Sequence, residues 1–241
     1  MPLGRFLEVS IAAADVAASL AFYESLGFLQ ASVGEAWHHP YAVVTDGRIS
    51  IGLHAQEFPT PILTWTAPDL MRRMDTLAAF GIDFDQARLD EVSLNEASFR
   101  DPSGQPVRLL EARTFSPPSL PAGHRSALGY FEEFGIPTSD LLAASAFWER
   151  MGFVAFDPVT DPFGKIIATG RDLNLGFYDL DLRSPVLVFS APDMPVRIAQ
   201  LREQGHDFAR RLPRGLAADK TALLQAPEGT QILLVADTSD D

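Results

Sequence analysis

Apolar and polar positions alternate along residues 4–12, as in a strand, and the period then changes. Over residues 16–26, Val16, Leu20, Tyr23 and Leu26 recur at helical spacing. Three more strands are expected at about 28–36, 41–45 and 48–54, with turns at His39-Pro40 and Asp46-Gly47. Pro61 then opens a strand over residues 62–66, and a second helix runs from Leu70 to Phe80. Weaker strands follow near 83–86, 97–100 and 106–111, the last two joined by Asp101-Pro102-Ser103-Gly104. Each unit reads as one strand, one helix and three strands.

Four times an Asp is followed twelve residues later by a Gly: Asp15/Gly27, Asp69/Gly81, Asp140/Gly152 and Asp193/Gly205. Asp is a favoured helix N-cap, and Gly is the left-handed residue that stops a helix. Each pair therefore brackets a helix of about three turns. The Asp residues are spaced 54, 71 and 53 apart, so the four units fall into two pairs.

The two halves match in detail. Phe6-Leu7-Glu8-Val9-Ser10-Ile11 corresponds to Phe131-Glu132-Glu133-Phe134-Gly135-Ile136, and Ala21-Phe22-Tyr23-Glu24 to Ala146-Phe147-Trp148-Glu149. Ala67-Pro68-Asp69 recurs as Ala191-Pro192-Asp193, and Asp83-Phe84 as Asp207-Phe208. The turn at 101–104 recurs as Ala226-Pro227-Glu228-Gly229. The halves are expected to be domains of residues 1–113 and 128–237, with a Pro-rich linker at 114–127 and a short acidic tail from Asp237 to Asp241. One such unit cannot bury its apolar faces alone. Two side by side can curl into a cup with helices outside, and the concave face is the natural ligand site.

Composition narrows the function. The 241 residues accommodate two domains, and 46% hydrophobic content suffices for a full core. There is no Cys, which excludes disulfides and thiolate chemistry. A net charge of −13 argues against nucleic acid as a partner and permits a cationic ligand. No apolar run is long enough to span a bilayer, and no signal peptide is evident, so a cytoplasmic protein, monomeric or homodimeric, is expected.

The chain resembles the vicinal oxygen chelate superfamily, which includes glyoxalase I, extradiol ring-cleaving dioxygenases and bleomycin-resistance proteins. The resemblance rests on Phe-Tyr-Glu-x-Leu-Gly-Phe at 22–28, on its echo Phe-Trp-Glu-x-Met-Gly-Phe at 147–153, and on the Asp-Pro-x-Gly turn at 101–104. It implies an α+β fold: four βαβββ modules arranged as two glyoxalase-like domains with cup-shaped mixed sheets. It also implies metal ligands seven residues before each capping Asp, here Glu8, Ile62, Glu133 and Val186, and seven past the Asp of the turn, here Arg108 and Leu233. Only Glu8 and Glu133 survive as remnant metal positions. A catalytic divalent ion wants about three protein ligands, so no cofactor is expected.

If Glu8 and Arg108 share a cup, Arg108 can pair with Glu8 or bind a ligand's carboxylate or phosphate. Glu133, set among Val186 and Leu233, would have a raised pKa and could act as a general acid or base. Both Glu residues could equally be relics that hydrogen-bond locally. The cups could also form between halves, pairing Glu8 with Val186 and Leu233 instead. His54 and Tyr178 hold equivalent strand ends, which suggests packing or cup lining. Trp65 and Phe189 are equivalent too, and with Trp37, Tyr41 and Phe99 they would either line a cup or fill the core. His38-His39 reads as a surface turn, and His206 as exposed.

The reading is therefore a metal-independent protein that binds a small cationic or aromatic molecule, with no nucleic acid and no membrane. The alternative is a glyoxalase-like lyase or isomerase, or a ring-cleaving dioxygenase, using Glu8 or Glu133 as base or ligand. A cup filled by side chains would point to a structural role instead.

Overall fold

The computed structural model describes residues 3–32, 37–90, 94–112, 120 and 123–237. The first half contains β1 (Arg5–Ala12), α1 (Val16–Ser25), β2 (Leu29–Ala31), β3 (Tyr41–Thr45) and β4 (Ser50–His54). It continues with β5 (Ile62–Ala67), α2 (Leu70–Ala79), β6 (Gln86–Arg88), β7 (Glu96–Arg100) and β8 (Pro106–Glu111). The second half has β9 (Tyr130–Pro137), α3 (Leu141–Arg150), β10 (Val154–Ala155), β11 (Gly164–Thr169) and β12 (Asn174–Asp179). It closes with β13 (Val186–Ala191), α4 (Met194–Glu203), β14 (Thr221–Gln225) and β15 (Gln231–Ala236).

Each half makes one mixed sheet. The orders are β2-β3-β4-β1-β5-β8-β7-β6 and β10-β11-β12-β9-β13-β15-β14. In each, the first strands of the two modules run antiparallel at the centre, and each is flanked by the parallel last strand of its own module. This is an α+β fold. The fourth module departs from the expected pattern, because the strand after α4 shrinks to one bridge, Phe208 with Leu224. Within residues 207–212, Phe208 packs against the main core, while Leu212 packs against the separate apolar cluster of the second half. The strand expected at 83–86 lies at Gln86–Arg88, and residues 33–36 of the strand expected at 28–36 are outside the described residues. The same holds for most of the proposed linker and for the end of the acidic tail.

The helix punctuation holds with one exception. Asp15, Asp69 and Asp140 accept from the backbone N–H of Ala18, Arg72 and Ala143. Asp193 does not cap its helix with its side chain, because Arg197 Nε donates to it at 2.7 Å. All four glycines take left-handed φ values, between +81° and +90°.

The main core cluster spans both halves and contains the helix-facing side of each sheet. The contact between halves has polar ties at matching places. Tyr23 of α1 donates to Glu228 Oε1 in the β14–β15 turn, at 2.9 Å. Trp148 of α3, at the equivalent helix position, donates to Asp101 Oδ2 in the β7–β8 turn, also at 2.9 Å. Arg5 and Asp172 add an ion pair at 2.8 Å. Among the described residues no helix is long and apolar enough to cross a membrane.

Candidate functional site

A backbone irregularity aims each glutamate. In an undisturbed strand, residues two apart share a face. Between β1 and β5, Phe6 faces Trp65 but Glu8 faces Thr64, so the register shifts between residues 6 and 8. A β-bulge of this kind re-aims a side chain. Phe6 stays in the core against Trp65, and Glu8 turns to the concave face. The second half repeats the device: Phe131 pairs with Phe189 and Glu133 with Val188, across a shift.

The next requirement is room. Gly52 lies on β4 beside Ser10 of β1. A Cβ built on Gly52 would lie 2.1 Å from Glu8 Oε1. Two residues on, His54 points to the same face and folds back over this gap to reach Glu8. In the second half, Gly176 and Tyr178 do the same for Glu133, where a Cβ on Gly176 would lie 2.8 Å from Glu133 Oε1.

Glu8 is 1% exposed and accepts three hydrogen bonds. Ser10 Oγ donates to Oε1 at 2.7 Å, His54 Nε2 lies 2.9 Å from Oε1, and Tyr41 Oη donates to Oε2 at 2.5 Å. Thr64 Oγ1 lies 2.7 Å from Ser10 Oγ and donates to it, since the Ser10 hydrogen is committed to Glu8. Three donors suit an ionised carboxylate, which can only accept. His54 Nδ1 in turn lies 2.9 Å from His39 Nε2. The result is a linear chain, Glu8–His54–His39, that runs from the sheet centre to the wall of a cavity. Burial beside Glu8 drives the Tyr41 hydroxyl far above its ordinary range, so it remains a donor.

That cavity has a volume of about 700 Å³. Trp37, His39, Phe58, Ile62, Glu96 and Arg108 are among its lining residues. Arg108, on β8, sits one strand beyond Thr64 and thus in the same cup as Glu8. The expected Glu8–Arg108 pair does not form, because the oxygens of Glu8 are taken by Ser10, His54 and Tyr41. Arg108 has instead a long ion pair to Glu96 at 3.9 Å, while Arg88 holds the other oxygen of Glu96 at 3.0 Å. The Arg108 guanidinium carbon lies 4.8 Å from the Phe58 ring centre and 5.9 Å from that of Trp37. Burial works against its charge, and Glu96 and Glu8 work for it.

The second cup is filled. Tyr178, Leu180, Leu182, Val186, Val188, Leu223 and Leu233 form a separate apolar cluster there. Glu133 is 6% exposed and accepts from the Tyr178 hydroxyl. Burial raises the Glu133 pKa, against the Tyr178 hydrogen bond and the charge of Lys165. A carboxyl that binds its proton more tightly when folded costs the folded state stability as pH rises from the ordinary glutamate value through the raised one. Glu133→Gln carries no such cost. Its stability relative to wild type is expected to improve between pH 4 and pH 8, measured by urea denaturation at both. A difference independent of pH would contradict this environment for Glu133.

Strand alternation explains which candidates stay away from the cavity. Trp65 and Phe189 lie on the helix side of β5 and β13, next in sequence to cup-facing Thr64 and Val188, and are core residues at 2% and 0% exposure. Of the two expected alternatives, cup lining or core, both residues take the core and neither is a ligand contact. His39 is the reverse case: a residue read as a surface turn that hydrogen-bonds into the cup. The Gly-x-His and Gly-x-Tyr spacing at 52–54 and 176–178 was the available signal for the networks.

Comparison with solved structures identifies the architecture. Catechol 2,3-dioxygenase aligns over 98% of this chain and 88% of its own, with a TM-score of 0.63 and 15% identity. The 2,2',3-trihydroxybiphenyl 1,2-dioxygenase of Sphingomonas wittichii aligns over 98% and 91%, at 0.62 and 17%. The chain has their fold. A variant of homoprotocatechuate 2,3-dioxygenase from Brevibacterium fuscum adds a third instance, covering 98% and 72% at 0.64 and 14%. No family model and no curated protein matches the sequence. On this fold, the residues in register across the sheet centre are Glu8, Thr64 and Arg108 in one half, and Glu133, Val188 and Leu233 in the other. Neither set fits a divalent cation, since one includes a guanidinium and the other two aliphatic side chains. Among the described residues no group of three His, Asp or Glu side chains is arranged to hold a metal.

Proposed function

We propose that the protein binds a small flat molecule carrying an anionic group, held in the cup of the first half without a divalent cation. The observation that carries this reading is Arg108. It is a guanidinium 12% exposed, in a cavity of about 700 Å³, flanked by aromatic rings and, among the described residues, with no carboxylate closer than 3.9 Å. A guanidinium fork matches a carboxylate or phosphate, and Phe58 and Trp37 offer faces to a planar ligand. A cationic ligand would meet Arg108 and be repelled. The filled second cup supports a structural role for that half.

The ring-cleaving dioxygenases that share the fold favour a second reading, an enzyme acting on an aromatic substrate. That reading needs a donor set that neither half supplies across its central strands.

The test is a thermal-stability screen of metabolites and antibiotics, with and without a chelator. A ligand at about 100 times its Kd contributes about 2.7 kcal/mol, or a shift of about 5–10 °C for a protein of this size. Flat anions are expected to give the shifts, unchanged by chelator. Shifts that vanish with chelator, or a stoichiometric tightly bound divalent metal in purified protein, would contradict the proposal.

A further inference from the structure

Glu96 stands between two guanidinium groups. On β7 it pairs directly with Arg88 of β6 on one side and with Leu110 of β8 on the other. Arg108 lies two residues before Leu110, so it shares that face and is the diagonal neighbour of Glu96. One carboxylate therefore has two arginines within reach. Its Oε1 lies 3.0 Å from Arg88 and its Oε2 lies 3.9 Å from Arg108, so the nearer partner is Arg88. All three residues line the cavity. Arg88 is 51% exposed, against 12% for Arg108. Glu96 is thus held by the outer guanidinium, and the buried one is left for a ligand.

The other charges around the cavity are balanced. Arg100 has Asp85 at 3.6 Å and donates to the Gly104 carbonyl at 2.8 Å. With Glu57 included, the lining Arg, Asp and Glu side chains number three of each sign, so their formal charges cancel. A bound monoanion leaves one negative charge in excess, and a dianion leaves two. The cost of taking an ion out of water grows as the square of its charge, whereas attraction to one guanidinium grows only in proportion. Repulsion from Glu96 also doubles with the second charge.

We propose that Glu96, held on Arg88, sets the charge of the ligand: the cavity takes a planar carboxylate, a monoanion, and rejects planar phosphate esters, which are dianions above neutral pH. This rests on the anion-binding reading above and narrows it to one ligand class. Arg88 acts through Glu96, by keeping that carboxylate off Arg108. Without Arg88, Glu96 closes on Arg108 and competes with the ligand for the guanidinium fork. Arg88 is a positioning residue, and Glu96 is the residue that discriminates.

Two probes share one ring system: 2-naphthoate, and 2-naphthyl phosphate at pH 8, where its second proton is lost. Isothermal titration of the whole chain reads both Kd values. The wild type is expected to bind the carboxylate at least about tenfold more tightly than the phosphate. Glu96→Gln keeps the size and removes the charge, so the ratio should shrink below about threefold, chiefly through tighter phosphate binding. Arg88→Ala should weaken naphthoate binding about fivefold or more, and that loss should fall below about twofold when Glu96→Gln is also present. A naphthoate preference that survives Glu96→Gln overturns the proposal, because charge at this position would not set it. Equal losses from Arg88→Ala in the two backgrounds overturn it as well, because Arg88 would then act on the ligand itself. Arg108-dependent binding of both probes at similar affinity, or tighter binding of the phosphate, overturns the selectivity and leaves the anion-binding reading standing. Binding of neither probe overturns the proposal together with the ligand class beneath it.

Discussion

Replacing Trp148 with Ala is expected to lower stability by about 3–5 kcal/mol, the largest loss of any single change considered for this protein. Trp148 is 0% exposed, and its ring centre lies 5.1 Å from Phe153 and 5.8 Å from Trp65 of the other half. Its deletion opens a cavity where the two halves share their core. It also strips Asp101 of a donor at 2.9 Å. Burial already raises the Asp101 pKa, and the Trp148 hydrogen bond works against that rise. Trp148→Phe separates the two effects. It keeps most of the packing and loses the hydrogen bond, at a cost of about 1–3 kcal/mol. That cost should be largest where Asp101 is ionised and should shrink as pH falls, because without its indole donor Asp101 binds its proton more tightly. Urea denaturation at pH 4 and pH 7.5 measures both. A loss below about 1 kcal/mol for Trp148→Ala would mean that the halves are stabilised separately.

Arg108→Ala is expected to weaken ligand affinity by about 30-fold or more, the consequence of losing about 2 kcal/mol or more of buried charged hydrogen bonding. Little stability should be lost with it. The guanidinium sits in a partly buried site that opposes its charge, and its ion pair to Glu96 is long at 3.9 Å. Removing a poorly paired buried charge is close to neutral for folding. Arg108→Lys keeps the charge but not the planar fork, so an intermediate loss is expected. Isothermal titration with a ligand from the thermal screen gives the affinities, and denaturation confirms the fold. Unchanged affinity in Arg108→Ala would remove this residue from the site. Glu133→Gln should leave affinity unchanged, because Glu133 lies in the filled second cup and does not line the cavity.

The fold was legible because its punctuation is local. The left-handed glycines and three of the four capping Asp residues behave as their spacing implies, and helix ends fix where strands can start. The halves were legible because their sequences match. The exception at Asp193 turns on Arg197, an acceptor's competing partner four residues on, which spacing alone does not weigh. The candidate site was half legible. Glu8, His54 and Arg108 were singled out, but their partners were not. Pairing Arg108 with Glu8 assumed that charge decides contact, whereas Ser10, Tyr41 and His54 saturate Glu8 first. The bulges that turn Glu8 and Glu133 inward depend on pairing between distant strands, so no local pattern records them. His39 was hidden for a similar reason: a His-Pro turn reads as surface, and only the third dimension carries its ring over His54.

A ligand in the first half's cup, with its anionic group on Arg108, is the central expectation for this protein. The most direct measurement is a crystal structure of the protein with a ligand taken from the thermal screen. The predicted result is ligand density between Arg108 and His39, with the ring system against Phe58 or Trp37. Density beside Glu133 in the second half, or between the halves near Tyr23 and Glu228, would contradict it.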